Sequence, residues 1–355
     1  MHLNSGGSLF QALGPDTPKA QSPNLVFGFR LGSISLPIAD EVADLRVNFV
    51  TKDVTPNTTG DGSAGIWGPY ILGSTPPEKI IHWSGESHKF FYELWRQGLG
   101  GATLMPVLEM GTTPNKEIPI WKDIVYGFKV LSSKELELWN KTFLNDYKSA
   151  FHYITFTCEP TMLLPYFMDR FYKAGGKVIK QEVESLAGFS ESGYDVIINC
   201  TGLGSRKMVP DENVYPTRGQ VVRVRTPWMY NCYFYDGNYV IPNTFSVVLG
   251  GTGQANDYNT NVSEIDRKFI NDGCRALVPG LENAETLFEW VGLRPSRQGT
   301  VRLERSDIKT KDKKNVVVIH NYGHGGSGVT LCWGCAGEVL EIFKTVVTEK
   351  SRSKL

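Results

Sequence analysis

The chain has 355 residues, which is enough for two or three domains with a sizeable core. Its 37 Lys and Arg balance 37 Asp and Glu, and this argues against nucleic acid or an anionic membrane surface as a partner. No apolar run approaches the roughly 20 residues that cross a bilayer, no N-terminal stretch resembles a secretory signal, and six cysteines are too few for a disulfide scaffold.

The start of the chain predicts a disordered segment and then an imperfect nucleotide-binding unit. Residues 1–23 are rich in Gly, Ser, Pro and Asn and carry no hydrophobic period. The next predicted elements follow the βαβ order of a dinucleotide site: a strand at 25–27, a weak helix at 38–45 and a strand at 47–50. The glycine fingerprint from Gly28 to Ser33 is imperfect, because Arg30 stands where a second glycine should admit a pyrophosphate.

A second loop of small residues, Thr55 to Gly65, comes after these elements. Its hydroxyls and backbone N–H groups suit phosphate oxygens, although an ordinary turn is the alternative. The predicted elements beyond it are helices at 84–97, 161–172 and 264–277 and strands at 177–183, 194–200, 215–224, 231–241, 245–250 and 287–293. Residues 98–140 predict only short strands and turns. The strand at 194–200 runs into the glycine turn Gly202 to Gly204, as expected where a nucleotide lies across strand ends.

The strongest local pattern lies between Val316 and Leu340. A β-branched run at 316–319 predicts a buried strand, and the nine residues that follow it contain four glycines, which allow the backbone to approach a ligand closely. Helical spacing of apolar residues begins near Gly328, and the start of a helix favours an electron-rich ligand atom. A loop that merely turns a corner is the alternative.

Two residue pairs in this stretch suggest a metal or a redox site, and both interpretations are weak. Cys332 and Cys335 fall inside the predicted helix with no second cysteine pair nearby, so we predict buried free thiols. His320 and His324 lie in a glycine loop with no carboxylate ligand close by, so we predict that they bind no metal.

Five motifs together resemble the family of D-amino-acid oxidases and D-aspartate oxidases, which are FAD enzymes. They occur in the family's order from about residue 50 to the C-terminus: Thr55-Pro56-Asn57-Thr58-Thr59, Asn199-Cys200-Thr201-Gly202-Leu203-Gly204, Tyr215-Pro216-Thr217-Arg218-Gly219-Gln220, Gly292-Leu293-Arg294-Pro295 and His320-Asn321-Tyr322-Gly323-His324-Gly325-Gly326. The resemblance is closer to the D-amino-acid oxidases than to the D-aspartate oxidases.

The resemblance implies a mixed α/β fold, with a Rossmann-like FAD-binding domain and an antiparallel-sheet substrate domain. The implied segments are 24–75, 155–210 and 288–347 for the FAD-binding domain, 76–154 and 211–287 for the substrate domain, and 348–355 for a tail.

The implied reaction is the oxidative deamination of a D-amino acid by hydride transfer to the flavin, which gives a 2-oxo acid, ammonia and hydrogen peroxide. Arg294 matches the residue that grips the α-carboxylate, which a guanidinium can do through two charge-assisted hydrogen bonds. Tyr239 matches a second carboxylate contact, Tyr235 a lid residue, and Gly326 a carbonyl that accepts a hydrogen bond from the substrate amine. No side-chain base is needed if the amine binds in its neutral form. Arg297 is predicted to be structural or solvated.

The resemblance also implies which residues contact FAD. Thr58 and Thr59 match pyrophosphate contacts, Leu203 a backbone contact near the adenosine part, and Thr330 a flavin contact. The complete predicted set is Thr58, Thr59, Ser63, Ala64, Gly65, Leu203, Gly325, Gly326, Ser327, Gly328, Val329 and Thr330.

The substrate side chain is predicted to be neutral. D-aspartate oxidases carry extra arginines at two positions that here hold Tyr235 and Gly253, so a second carboxylate would have no obvious cation. Gly68 stands where larger residues occur in relatives, which predicts a roomier pocket. A D-aspartate oxidase remains one alternative, and the imperfect fingerprint leaves open an inactive, flavin-poor relative with a binding or structural role. An NAD-dependent dehydrogenase would share the nucleotide fold without explaining the Arg-Tyr-Gly set.

The expected partners are the D-amino acid, O2 and a peroxisomal import receptor. The receptor follows from the C-terminal Ser353-Lys354-Leu355, which has the form of a peroxisomal address. The sequence leaves the assembly open, with a homodimer among the options.

Overall fold

The computed structural model describes residues 24–29 and 46–352. The predicted disordered segment at 1–23, the helix at 38–45 and the address at 353–355 lie outside the described residues. Arg30 and the rest of the glycine fingerprint beyond Phe29 lie outside them as well.

Within the described residues, six strands form a mostly parallel sheet. In their order across the sheet they are β14 (Arg302–Lys309), β15 (Asn315–Tyr322), β7 (Val196–Asn199), β1 (Asn24–Phe29), β2 (Arg46–Thr51) and β6 (Lys177–Lys180). All neighbours are parallel except β14 and β15. The central strands β7 and β15 are runs of valine and isoleucine that are almost completely buried, as expected for a parallel sheet covered on both faces.

Three long helices accompany this sheet: α1 (Pro77–Gln97), α3 (Pro160–Lys173) and α7 (Gly328–Arg352). Helices α1 and α7 approach each other closely where Gly334 faces Trp83. A Cβ at Gly334 would lie 2.2 Å from the Trp83 carbonyl oxygen, so this position has no room for a side chain. The Ser87 hydroxyl accepts hydrogen bonds from the Trp333 and Gly334 N–H groups at that crossing. Cys332 and Cys335 are buried free thiols beside it, as predicted.

A second, mainly antiparallel sheet contains the other nine strands of the described chain. Its neighbours run in the order β12 (Gln254–Ala255), β8 (Val214–Arg225), β11 (Val247–Gly250), β10 (Asn238–Pro242), β9 (Cys232–Tyr235), β3 (Ala102–Gly111), β5 (Ser149–Cys158) and β4 (Tyr126–Val130), while β13 (Glu285–Arg297) pairs with β8. Strands β3 and β9 are the parallel pair. Helix α6 (Glu264–Leu277) buries Ile270, Cys274 and Leu277 in the core of this sheet.

The predicted architecture is therefore present, with three differences in detail. The strand predicted at 231–241 is two strands, β9 and β10, joined by a tight turn in which Asp236 and Gly237 both have positive φ. Residues 98–140 contain the whole ten-residue strand β3 and the start of α2 (Ser133–Phe143), which begins with a capping box between Ser132 and Glu135. Two further short helices are α4 (Leu186–Phe189) and α5 (Ser205–Met208).

Two segments also differ from the predicted domain boundaries. All of β13 belongs to the antiparallel sheet, because it pairs with β8 from Glu285 to Arg297 around one irregularity at 286–288. Helix α1, which the sequence assigns to the substrate domain, packs against α7 beside the parallel sheet. The remaining boundaries stay a prediction.

No helix of the described residues has both the length and the apolar character that a membrane span requires.

Candidate active site

A cavity of about 550 Å³ is lined by residues from both sheets, and it contains most of the predicted site. All four residues predicted to contact substrate line this cavity: Tyr235, Tyr239, Arg294 and Gly326. Ten of the predicted FAD contacts line it as well: Thr58, Thr59, Ser63, Ala64, Gly65, Leu203, Gly325, Gly326, Gly328 and Val329. The fold thus brings residues from five separate motifs to one place. Their individual roles stay predictions.

Arg294 lies on β13 and is held by backbone carbonyls. Its Nη1 donates to the Thr252 oxygen at 2.9 Å and to the Arg218 oxygen at 3.3 Å. The guanidinium lies over Gly219, where a Cβ would approach Nη1 to within 2.3 Å. Among the described residues no carboxylate pairs with Arg294, so its charge is available to a ligand.

Tyr239 and Tyr235 lie on either side of the β9–β10 turn. Burial raises the pKa of Tyr239, and the neighbouring Arg294 guanidinium opposes this shift only in part, so the phenol keeps its proton at neutral pH. The Tyr235 ring meets the Tyr147 ring edge to face at 4.8 Å. Because the turn is short, Tyr235 at the end of β9 and Tyr239 on β10 both line the cavity.

Arg297 is structural, as predicted. Its Nε donates to Asp211 Oδ2 at 2.8 Å in a mostly buried salt bridge, and the Tyr322 hydroxyl donates to the same oxygen at 2.8 Å. Burial is the largest single influence and favours the neutral acid, but the hydrogen bonds from Arg297, Tyr322 and the Asn213 N–H together with the Arg297 charge outweigh it and lower the pKa of Asp211.

The glycine loop after β15 connects the parallel sheet to this cavity. Gly323 and Gly325 adopt positive φ, and the Gly325 N–H donates to the Pro295 carbonyl at 3.0 Å, which ties the loop to the strand that carries Arg294. Ser327 and Thr330 are absent from the cavity lining. Their hydroxyls instead bind the backbone of Tyr70 and Gly68, so they fix two residues of the cavity lining that lie beside this loop.

His320 and His324 are buried and neutral. His324 lies in the glycine loop as predicted, whereas His320 lies on strand β15 and not in that loop. Desolvation lowers the pKa of His320 to about 4 and that of His324 to about 3. The His320 ring is fixed by Asn199 at 3.2 Å and by Ser306 at 2.9 Å. In the described part of the chain, no group of three His, Cys, Asp or Glu side chains is arranged to hold a metal ion.

Thr58 is engaged by a residue that the sequence did not single out. Its N–H and its hydroxyl both donate to Asp61 Oδ2, at 2.9 and 2.6 Å, and Asp61 is 5 % exposed. The Thr58 hydroxyl therefore has its proton committed and can offer only an acceptor lone pair to a ligand. The predicted donation from Thr58 to a pyrophosphate would require Asp61 to release it.

The Gly62–Ala64 segment of the small-residue loop is held from the second sheet. Arg223, on β8 and 3 % exposed, donates to the carbonyl of Ser63 at 3.1 Å and to that of Gly62 at 3.5 Å. Asn243 donates to the Ala64 carbonyl at 2.9 Å. Residues outside the predicted set thus fix the loop that the sequence assigned to phosphate binding.

Several lining residues have buried polar atoms without a hydrogen-bond partner in the protein. They are Ser63 Oγ, Trp290 Nε1, Asn321 Oδ1 and Nδ2, and His324 Nε2. Orphaned buried polar groups are costly, and a ligand rich in ring nitrogens, carbonyls and phosphate oxygens can satisfy them. The cavity therefore fits FAD.

Sequence analysis missed an ion pair at another part of the lining. Lys116 Nζ lies 2.8 Å from Glu109 Oε1, and both residues line the cavity that contains Arg294. The sequence predicted no obvious cation for a second substrate carboxylate. Lys116 is a cation in this cavity, but Glu109 already pairs with it, so the expectation stays a prediction. Neither residue belongs to any of the five motifs.

The fold and the cavity together define a FAD-dependent oxidoreductase. A family model described as DAO, FAD dependent oxidoreductase, matches residues 36–342. The chain is 34 % identical to a D-amino acid oxidase of Dugesia ryukyuensis, with 89 % of this chain and 95 % of the relative covered. It is 31 % identical to the human D-aspartate oxidase, with 89 % and 92 % covered.

Solved structures agree on the fold. The glycine oxidase of Geobacillus kaustophilus superposes with a TM-score of 0.73 at 19 % identity, covering 90 % of this chain and 94 % of that one. The chain belongs to the DAO family of FAD-dependent oxidoreductases.

Proposed function

We propose that this enzyme oxidises neutral D-amino acids to 2-oxo acids and ammonia. A bound FAD would supply the hydride acceptor for the α-carbon and the route by which the two electrons reach O2 to give hydrogen peroxide. Water then hydrolyses the imino acid. The observation that carries the proposal is the Arg294 guanidinium, which lies in the cavity with carbonyls and no carboxylate of the described chain around it.

The protein's part is to bind and orient the substrate. Arg294 offers a planar fork of N–H groups to the α-carboxylate, and Tyr239 offers a protonated hydroxyl beside it. The carbonyl of Gly326, on another wall of the cavity, accepts a hydrogen bond from the amine. These contacts fix which face of the α-carbon meets the flavin. The start of helix α7 at Gly328 stabilises negative charge nearby.

The lining residues that could act as a base support a reaction without one. His324 is neutral, but its pKa of about 3 makes it a poor proton acceptor. The Glu109 carboxylate is bound to Lys116, and Asp236 is exposed at the tip of the β9–β10 turn. We therefore infer that the substrate binds with its amine already neutral.

The second candidate is the oxidation of D-aspartate, which relatives named D-aspartate oxidase and the presence of Lys116 in the lining favour. Two observations weigh against it. Lys116 is already neutralised by Glu109, and Tyr235 occupies one of the two positions where the resemblance leads us to expect an arginine. A buried side-chain carboxylate would thus lack a free cation.

The same proposal includes a place in the cell. Peroxide release fits an organelle that degrades peroxide, and Ser353-Lys354-Leu355 has the form of a peroxisomal import signal. We propose import through the peroxisomal receptor and leave a homodimer as the assembly to be tested by sedimentation.

The test is peroxide release by purified protein supplied with FAD. We expect activity with D-methionine and D-alanine, none with the L-enantiomers, and at least tenfold lower kcat/KM with D-aspartate. A colourless protein without flavin absorption, or a preference for D-aspartate, would contradict the proposal. Arg225→Ala changes an exposed arginine of the same sheet. It is the matched control for Arg294→Ala and should leave kcat/KM unchanged.

A further inference from the structure

The Glu109–Lys116 ion pair lies in the active-site cavity and has no role in the reaction described so far. The two side chains are about one-quarter exposed, 25 % for Glu109 and 27 % for Lys116, and Nζ and Oε1 are 2.8 Å apart. The second carboxylate oxygen of Glu109 accepts a hydrogen bond from the Tyr153 hydroxyl at 3.1 Å. Tyr153 in turn packs edge to face on Trp121 at 5.2 Å. The carboxylate is thus held from two sides.

Lys116 is held just as firmly. Its ammonium donates to the Met110 carbonyl at 3.3 Å and lies 5.7 Å from the centre of the Phe151 ring. Its stem crosses Gly111, where a Cβ would lie 3.1 Å from the Lys116 Cδ. The salt bridge and the carbonyl use two of the three N–H groups of the ammonium. An ion pair fixed by so many contacts is a built feature of the cavity wall.

Strand register places this pair relative to the proposed substrate anchor. Glu109 on β3 aligns with Phe234 on β9, Phe234 aligns with Tyr239 on β10, and Tyr239 aligns with Gly250 on β11. Neighbouring strands are about 4.8 Å apart, so Glu109 lies about 10 Å from Tyr239 along the sheet. Phe234 lies between the two in the sheet, its ring centre is 5.9 Å from that of Tyr239, and it lines the same cavity. An amino acid whose carboxylate is held at Arg294 and Tyr239 would extend its side chain past Phe234 toward Glu109 and Lys116.

We propose that the Glu109–Lys116 pair determines specificity by keeping this end of the cavity electrically balanced. The inference rests on the proposed function and deepens it. An acidic side chain would meet Glu109 and a basic one would meet Lys116, and either would have to break the pair and leave one charge poorly solvated. An uncharged side chain leaves the pair intact. The neutral preference therefore comes from the balance of two charges, and removing either one exposes the other.

The test compares four proteins: the wild type, Glu109→Gln, Lys116→Met and the double variant. For each we would measure kcat/KM with D-methionine, D-glutamate and D-lysine. Glu109→Gln should raise the ratio of D-glutamate to D-methionine about tenfold or more, because an unpaired ammonium attracts the acidic side chain. Lys116→Met should raise the ratio of D-lysine to D-methionine similarly. The double variant should return to a neutral preference.

Opposite changes in the two single variants are the signature of the proposal. If each variant changes kcat/KM by the same factor for all three substrates, the pair is only structural and the proposal is wrong. Glu285→Gln, which breaks the exposed Arg225–Glu285 pair of the same sheet, should leave every ratio unchanged. Flavin absorption and melting temperature show whether each variant is folded.

The wild type offers a second measurement that needs no variant. D-glutamate and D-glutamine have the same shape and differ in charge, so we expect D-glutamine to react with at least tenfold higher kcat/KM. Equal values would overturn the proposal even if a single variant failed to fold. A wild type that oxidises no amino acid would instead refute the proposed function, so the two failures are distinguishable.

Discussion

Among the described residues, two cationic side chains line the cavity, and their surroundings differ. The Arg294 guanidinium is held by the carbonyls of Arg218 and Thr252 and meets no carboxylate of the described chain, whereas the Lys116 ammonium lies 2.8 Å from Glu109. Both are partly buried and both line the same space. They differ in whether a protein anion already neutralises them.

This difference indicates which cation a substrate can use. Carbonyl oxygens orient a guanidinium and satisfy some of its N–H groups, but they leave its net charge in place, so an incoming carboxylate gains the full attraction. A paired lysine offers a ligand almost no net charge, and its partner would repel an anion. A charged residue in a pocket therefore becomes a binding group only when the protein has not already neutralised it.

The largest expected effect comes from removing the unpaired cation. Arg294→Ala should lower kcat/KM for D-methionine by roughly 10²- to 10⁴-fold, because two hydrogen bonds to a charged group contribute about 1.5–3 kcal/mol each. Arg294→Lys should fall between this variant and the wild type, because an ammonium keeps the charge and loses the fork. Steady-state peroxide release measures all three. An unchanged kcat/KM in Arg294→Ala would show that this cation, too, is not used by the substrate.

The two cations can be compared only at pH values at which the protein is folded. Three buried histidines of the described chain set the acid limit of this pH range. The pKa values of His88 and His320 are lowered to about 4 and that of His324 to about 3, all by burial. The unfolded chain, with its histidine pKa near 6.5, therefore binds more protons between these values, and stability falls as the pH drops from about 6.5 toward 4.

Each such histidine should cost about 2 kcal/mol of unfolding free energy at pH 5 relative to pH 8. We expect the melting temperature to fall over this window and the fall to be smaller in a His88→Phe variant, which replaces one buried ring by another. Calorimetry at pH 5 to 8 measures both. A melting temperature that stays constant from pH 8 to 5 would show that these rings are accessible to protons in the folded state.

The sequence predicted the Arg294 end of the cavity much better than the Glu109–Lys116 end. Arg294 and Gly326 each belong to one of the five motifs, whereas Tyr239 was assigned only through the family resemblance. The order strand, glycine loop, helix around Gly326 follows from hydrophobic spacing alone. The loops after β7 and β15 could be predicted to meet, because parallel strands end at the same edge of their sheet. Arg294 and Tyr239 reach the same cavity from the antiparallel sheet, and only the family resemblance implied that they would.

The ion pair had no such signal. Glu109 and Lys116 look like ordinary surface charges, and their position depends on the pairing of β3 with β9, which lie far apart in the chain. Arg223, which holds the small-residue loop from the other sheet, was missed for the same reason. The β9–β10 turn was a different kind of error, because Asp236-Gly237 is a well-known hairpin signal that should have divided the strand predicted at 231–241.

A smaller change tests whether the position of the guanidinium matters as well as its charge. In Gly219→Ala the new Cβ would lie 2.3–2.5 Å from the guanidinium atoms of Arg294 and would have to displace them. We expect kcat/KM to fall about tenfold or more, since misplacement of a binding group is costly in catalysis. The melting temperature should change little, because the displaced atoms are at the end of a flexible side chain. An unaltered kcat/KM would show that the guanidinium tolerates displacement.

The smallest effect is expected at Gly68, which lines the same cavity and where an added Cβ would meet no atom of the described chain within 4 Å. Gly68→Ala should therefore leave kcat/KM within about twofold, and it serves as the matched glycine-to-alanine control for Gly219. Gly68→Leu fills the open space, so it should lower kcat/KM for D-methionine about tenfold while sparing D-alanine, because only the longer side chain needs that volume. If kcat/KM falls equally for both substrates, the added side chain acts on the cofactor or on the Arg294 end of the cavity. If kcat/KM falls for neither substrate, the space beside Gly68 is not used by the substrate, and side chains extend only along the path from Arg294 toward Glu109 and Lys116.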